Sequence, residues 1–448
     1  MKKVELLSPA GTLKNMRYAF AYGADAIYAG QPRYSLRVRN NDFLDENLAK
    51  GIAEAHSLGK KFFLATNVIP HNTKVKSFIN DIAPIIAMKP DALIMADPGL
   101  IMMTREKWPD MPIHLSVQAN TVNFATVKFW ESMGVERIIL SRELSLDEIA
   151  EIRQECPDIE LEVFVHGALC IAYSGRCLLS GYFNHRDPNQ GTCTNSCRWK
   201  YDTKPAHENA EGDLVAESDV LSMDILNPST ASCGGADRHP LADKTYFLEE
   251  EGRPGELMPI SEDEHGTYIM NSKDLRAIEH VQRLVDIGID CLKIEGRTKS
   301  HYYVARTAQT YRLAIDDALA GKAFQPELIG VLENLANRGY TDGFYQRHHT
   351  HEQQNYITGY SKSHRQQFCG EIVHYDTTTG LAEIAVKNKF SVGDKLEFIH
   401  PAGNRDIIVD RMEDLHGNPM QEASGGGYQV KIPLPNFENN LGLLSRYY

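Results

Sequence analysis

The 448-residue sequence predicts an α/β chain: a (β/α)8 TIM-like barrel with a cysteine-bearing insertion, followed by a small C-terminal all-β barrel domain. Three observations carry this reading. Short, continuous apolar strands alternate with helical stretches through the first 300 residues, the pattern of a parallel sheet buried on both faces. Eight such strands favour a closed barrel over an open sheet. No glycine-rich nucleotide fingerprint follows the first strand, which argues against an open dinucleotide-binding sheet.

VELLSPAG (4–11) reads as the first strand, closed by a Ser-Pro-Gly turn. LKNMRYAFAYG (13–23) follows with helical apolar spacing and a terminal glycine as stop signal. AIYAG (26–30), KFFLATN (61–67), ALIMAD (92–97), IHLSVQAN (113–120), RIILSREL (137–144), LEVFVHGAL (161–169) and CLKIEGR (291–297) supply the other seven strands. Helices are expected over 44–59, 125–134, 145–155 and 272–288. The regularity breaks at about 184–266, where a long polar stretch rich in Gly, Pro, Asn and acidic residues replaces a short loop. Its first part is expected to be ordered by its cysteines, and 203–245 to be mobile. The barrel is assigned to 1–330 with that insertion, a connector to 331–366, and the β domain to 367–448. In the last segment CGEIVHYD, LAEIAVKN, GDKLEFIHP, RDIIVDRM and YQVKIPLP are short, turn-bounded strands, as in a small barrel or sandwich of five or six.

The apolar fraction is 42% and the charged fraction 24%, both ordinary for a globular protein. No run approaches 18 apolar residues, so no membrane partner is expected. The start, MKKVELLSPAG, reads as a strand rather than a signal peptide, which makes the expected location cytoplasmic. Thiols stay reduced there, so clustered cysteines point to ligands or catalysts rather than disulfides. A net charge of −13 excludes a wholly basic coat but not a local basic face acting within about 8–10 Å. Basic residues are dense around Arg176–Lys200 and again around Lys293–Arg306.

Chemistry in such a barrel sits at the carboxyl ends of the strands. The polar residues there are Asn67 with His71, Asp97, Gln118 with Asn120, Arg142 with Glu143, His166, and Glu295 with Arg297. Any one alone suits a strand-end cap; together they outline a polar bowl. Cys170, Cys177, Cys193 and Cys197 fall within 28 residues, with gaps of six, fifteen and three. Four thiolates suit a tetrahedral zinc site, but zinc knuckles use two tight pairs and only one pair here is tight. An iron–sulfur cluster tolerates wider gaps. The spacing leaves both open, along with no metal. A thiol nucleophile would need Cys170 to reach His166 as its base. Cys156 and Cys291 read as structural, and Cys233 as a further possible ligand.

EVFVHGALCIAYSGRCLLS (162–180) resembles the signature of the U32 family, long labelled peptidases. VELLSPAG, YSLRVRNNDF (34–43), QGTCTNSCRWKY (190–201), RPGELMPISEDEHGTYIMNSKDL (253–275) and LKIEGRTKS (292–300) resemble other family blocks in the same order. The resemblance implies hydroxylation of C5 of uridine 34 in the tRNA anticodon loop, giving 5-hydroxyuridine. It implies prephenate as co-substrate, dependence on iron–sulfur assembly machinery, and a cluster, expected as [4Fe–4S], on Cys170, Cys177, Cys193 and Cys197. Prephenate carries two carboxylates, for which Arg37, Arg39, Arg297 and Lys299 are the candidate cations. His166, Tyr173 and Glu295 are the candidate catalytic side chains. Tyr34, Phe43, Tyr173 and Trp199 are candidates to stack on the base, and Lys387, Lys389, Arg405 and Arg411 to grip the tRNA body. Two rivals stand beside this. One is a peptidase, although the sequence has no HExxH or GxSxG motif. The other is a non-catalytic RNA-binding protein with structural zinc.

Overall fold

The computed structural model describes residues 3–36, 41–169, 273–335, 337, 339–346, 366–437 and 441–448, plus five short backbone strands between 206 and 268. Eight parallel strands close into a barrel: β1 Glu5–Pro9, β2 Ala26–Gly30, β3 Lys61–Ala65, β4 Ala92–Met95, β5 Ile113–Leu115, β6 Arg137–Ile139, β7 Glu160–Ala168 and β8 Cys291–Ile294. Closure is made by β8, which pairs with β7 on one side and β1 on the other. Every residue of β1 and β2 is buried, as strands covered on both faces require.

Among the described residues the helices are α1 Leu13–Ala21, α2 Asp45–Ser57, α3 Asn72–Ala87, α4 Pro98–Lys107, α5 Phe124–Ser132, α6 Leu146–Glu155, α7 Val281–Ile287, α8 His301–Leu319 and α9 Glu327–Glu333. Several begin directly above the strand ends on a polar cap. Thr12, Asp97, Asn123, Ser145 and Ser300 each accept a backbone N–H from the first turn of their helix. Asp97 and His71, two members of the expected bowl, thus sit at helix starts.

One expected element differs. Asp274–Arg276 is not helix but a short strand, antiparallel to the overhanging end of β7. The helix starts only at Val281, after a 3-10 turn. At nine residues β7 outruns its neighbours, and its free backbone groups past the barrel rim take Asp274–Arg276 as partner.

Residues 195–271, with 354–360, form a separate compact unit. Within it, Tyr246–Glu249, Leu257–Asp263 and Gly266–Tyr268 make a three-stranded antiparallel sheet, and Ala206–Glu208 pairs with Leu214–Ala216.

The C-terminal segment is an antiparallel half-barrel with its own core, including Ile384, Phe390, Leu396, Val430 and Leu444. Its principal strands are β9 Gln366–Asp376, β10 Leu381–Val386, β11 Lys395–Ile399, β12 Arg405–Ile408, β13 Gln429–Pro433 and β14 Leu443–Tyr447. It packs on α1 and α8. Tyr22 Oη donates to the carbonyls of Ile399 (3.0 Å) and Leu441 (2.8 Å). Tyr302 stacks on Phe368 at 4.5 Å between ring centroids. Arg306 forks onto Glu397 at 2.9 and 3.0 Å.

Candidate active site

Side chains on alternate strand residues fill the barrel interior. Glu5 of β1 meets Arg137 of β6 at 2.7 Å, which two non-neighbouring strands can do only across the inside. Lys61 joins Glu5 at 2.8 Å, and Lys293 joins Glu162 at 2.7 Å. Arg137 also reaches Glu162 at 3.2 Å. Burial alone would raise the Glu5 carboxyl, but Arg137 and Lys61 outweigh it and hold Glu5 below the usual carboxylate range. This ionic layer was not foreseen. Its signal is a charged residue inside an apolar strand, Glu162 in LEVFV and Lys293 in CLKI.

Above it lie aromatic rings. Lys293 Nζ is 4.4 Å from the Tyr28 ring centre and 5.4 Å from that of Phe164. Arg142 lies over Phe164, its Cζ 3.9 Å from the ring centre, and donates to Glu295 at 3.0 Å. Arg142 and Glu295, from strand ends β6 and β8, are thereby brought together at the mouth. Gly167, with φ +109°, makes room for Glu295: a Cβ there would lie 2.5 Å from the Glu295 carbonyl oxygen.

Arg297 turns to the other side of β8. Its guanidinium donates to Ser35 Oγ at 2.5 Å and to the Leu36 carbonyl. Leu36 directly precedes Arg37. Arg297 therefore ties the stem of the segment carrying Arg37 and Arg39, which lie outside the described residues, to the end of β8. Lys299 lies with its Nζ 5.4 Å from the Tyr303 ring centre.

Across the mouth, Asn67 of the β3 end reaches Ser116 (3.3 Å) and Gln118 (3.0 Å) of the β5 end. Asn67 Oδ1 accepts from the Leu36 backbone N–H at 3.2 Å, so the 34–36 loop is gripped from both sides.

His166 is only 1% exposed. Its ring faces Tyr303, Tyr311 and Tyr340 at centroid separations of 5.3–5.8 Å. Nδ1 lies 3.4 Å from Tyr311 Oη, and Nε2 makes no hydrogen bond among the described residues. Burial pulls its pKa from 6.5 to about 3, so the imidazole is neutral at ordinary pH.

Tyr173, Cys170, Cys177, Cys193, Cys197, Trp199 and Cys233 lie outside the described residues. The described thiols, Cys156, Cys291 and Cys369, are buried and unpaired. Burial pushes Cys369 up to about 11 and raises Cys156 and Cys291 too, so all three are poor nucleophiles. Among the described residues no thiol is hydrogen-bonded to an imidazole, and no cluster of acidic, His and Cys side chains suits a metal.

The structure corrects two stacking candidates. Tyr34 and Phe43 are wholly buried, Tyr34 edge-on to Phe78 and hydrogen-bonded to Asp81 at 2.6 Å, Phe43 edge-on to Phe62. Neither has a free face for a base. In the half-barrel, Lys387 pairs with Glu371 and Lys389 with Glu422, while Arg405 and Arg411 are exposed. Among the described residues no helix is long and apolar enough to cross a membrane.

The chain is similar throughout to three curated bacterial proteins. It is 61% identical to tRNA hydroxylation protein P of Escherichia coli, spanning 100% of this chain and 97% of that protein. It is 58% identical to the protein of the same name in Haemophilus influenzae, over 99% of this chain and 96% of the other. To the Helicobacter pylori protein it is 36% identical, over 97% of each. The family described as peptidase family U32 matches residues 11–355, and the peptidase family U32 C-terminal domain matches 364–446. With both matches in order along one chain, this protein belongs to peptidase family U32.

Proposed function

We propose that the chain is a tRNA-modifying enzyme that hydroxylates C5 of uridine 34 in the anticodon loop, with prephenate as co-substrate and a [4Fe–4S] cluster. The observation that carries the reading is the 61% identity, over the whole chain, to a protein named for tRNA hydroxylation. Hydroxylating a pyrimidine requires a redox step that no side chain supplies, and a cluster held here would relay its electrons. Four thiolates within 28 residues are a chemically suitable donor set. β7 ends at Ala168, two residues before the first of them, so this strand leads the chain from the barrel mouth into the cysteine segment. Cys170, Cys177, Cys193 and Cys197 would hold the cluster, loaded by the iron–sulfur assembly machinery.

The remaining roles fall to the mouth. Arg297 and Lys299, with Arg37 and Arg39, bind the two carboxylates of prephenate. The clamp of Arg297 on Leu36 supports this, because it draws together two cationic segments more than 250 residues apart. Glu295 orients Arg142, and Phe164 supports it from below. His166, neutral and caged by tyrosines, positions the end of β7. A base in a single-stranded anticodon loop is splayed out at low cost to reach such a site, with Tyr173 proposed to stack on it. A tRNA substrate places this work in the cytoplasm.

The test uses full-length protein purified without oxygen. Roughly four iron and four sulfide per chain are expected. Incubation with tRNA should yield 5-hydroxyuridine at position 34 only when prephenate is added. Cys170→Ala or Cys177→Ala should abolish cluster and product together. Modification that persists in either variant would overturn the ligand assignment. Stoichiometric zinc would favour the RNA-binding reading, and thiol-sensitive peptide cleavage the peptidase reading.

A further inference from the structure

One side chain at the mouth has a hydrogen-bonding polarity that the surrounding backbone fixes. The Leu36 N–H can only donate, so the group facing it on Asn67 must be the carbonyl Oδ1, at 3.2 Å. The Asn67 Nδ2 is then turned toward β5, where it donates to Ser116 Oγ and, at 3.0 Å, to Gln118. A donor requires an acceptor, so Gln118 must present Oε1 to Asn67. Ser116 Oγ, which accepts from Asn67, gives its own hydrogen to the same Oε1. Asn67 and Ser116 are 8% and 2% exposed, which locks the relay. Gln118 itself is only half-buried. Its oxygen is thus occupied twice, and its Nε2 has no partner among the described residues. β5 ends at Leu115, and Gln118 follows in a 3-10 turn, Val117–Ala119, capped by Ser116; its contact with Asn67 of the β3 end holds the amide across the strand ends at the mouth. The mouth therefore carries an oriented amide that can offer hydrogens but cannot accept them.

This inference rests on the hydroxylase reading and deepens it. Uracil presents a 4-oxo acceptor where cytosine presents a 4-amino donor. We infer that Gln118 reads the target base, its Nε2 donating to the 4-oxo group of uracil and rejecting cytosine by setting donor against donor. Asn67 and Ser116 are positioning residues: they hold the amide in the one orientation that makes this distinction.

The experiment measures binding of anticodon stem-loop RNAs carrying uridine or cytidine at position 34, and kcat/KM for modification of the uridine form. Wild-type protein should favour uridine by about 10–100-fold, the worth of one buried hydrogen bond with an unpaired group in the alternative. Gln118→Leu should erase most of that preference. Gln118→Glu keeps an oxygen for Asn67 and Ser116 but places an acceptor outward, and should level or invert it. Both variants should retain the wild-type iron and sulfide content. Wild-type preference in both variants overturns the inference alone, as does an unchanged preference with a raised KM for prephenate, which would assign the amide to the co-substrate. Wild-type protein that modifies no uridine 34 overturns the hydroxylase reading, and the inference falls with it.

Discussion

His166 is one buried group that makes the barrel wall sensitive to acid. In the folded protein it stays neutral down to about pH 3, because burial opposes its charging more than Asp274 nearby favours it. The unfolded chain takes up that proton near 6.5. Between these values the unfolded state binds more protons than the folded one, so stability rises with pH across the window and falls on acidification. His114, enclosed within reach of Arg137 and Lys293, has the same sign. His166→Phe keeps a ring among the three tyrosines and removes the titration. Urea denaturation should find its stability near neutral pH within about 1 kcal/mol of wild type. Between about pH 6.5 and pH 4 its losses should be clearly smaller. An acid limb as steep as wild type would show that the imidazole is not the group being forced to charge.

At the scale of elements, strand and helix starts are what bring the site together. α6 begins with a capping box: Ser145 Oγ accepts from the Glu148 N–H, and the Glu148 carboxylate accepts from the Ser145 N–H at 2.9 Å. That helix feeds β7, the strand that runs toward Cys170. Ser145→Ala should cost about 1 kcal/mol in denaturant unfolding, and a loss near zero would show that the Glu148 carboxylate holds the turn alone. Such signals were legible: the eight strands and the helices at 13, 44, 125 and 145 follow from apolar spacing and punctuation. The 272–288 stretch was not. Leu275, Ile278, Val281 and Leu284 recur every three residues, as on a helix face. What turns Asp274–Arg276 into a strand is the overhang of β7, a distant partner that local periodicity does not encode. The site divides the same way. Arg142, Glu295, Asn67 and Gln118 could be named as polar strand-end residues, but their pairing across the mouth depends on barrel closure. Tyr34 and Phe43 were misread because a buried aromatic and a base-stacking aromatic look alike in sequence.

At the scale of the whole molecule, the half-barrel is fastened to the barrel through α8. Arg306, 1% exposed, forks onto Glu397, whose carboxylate also accepts from Gln366 at 2.8 Å and Asn404 at 3.0 Å. Glu371 makes a second fastening, meeting His301 at 2.9 Å, Lys387 at 3.0 Å and Lys14. Burial would raise its carboxyl, but these partners prevail and hold it well below the usual carboxylate range. A fully satisfied buried ion pair adds little net stability, because desolvation offsets the attraction, whereas an orphaned buried charge is expensive. Arg306→Met should therefore cost about 3–5 kcal/mol by stranding the carboxylate between two amides. Adding Glu397→Leu removes the stranded charge, so the double variant should recover much of that loss. A thermodynamic cycle of the two single variants and the double variant in urea decides the matter. A double variant less stable than Arg306→Met would mean that the pair contributes more than specificity, and that Gln366 and Asn404 depend on Glu397 for their own satisfaction.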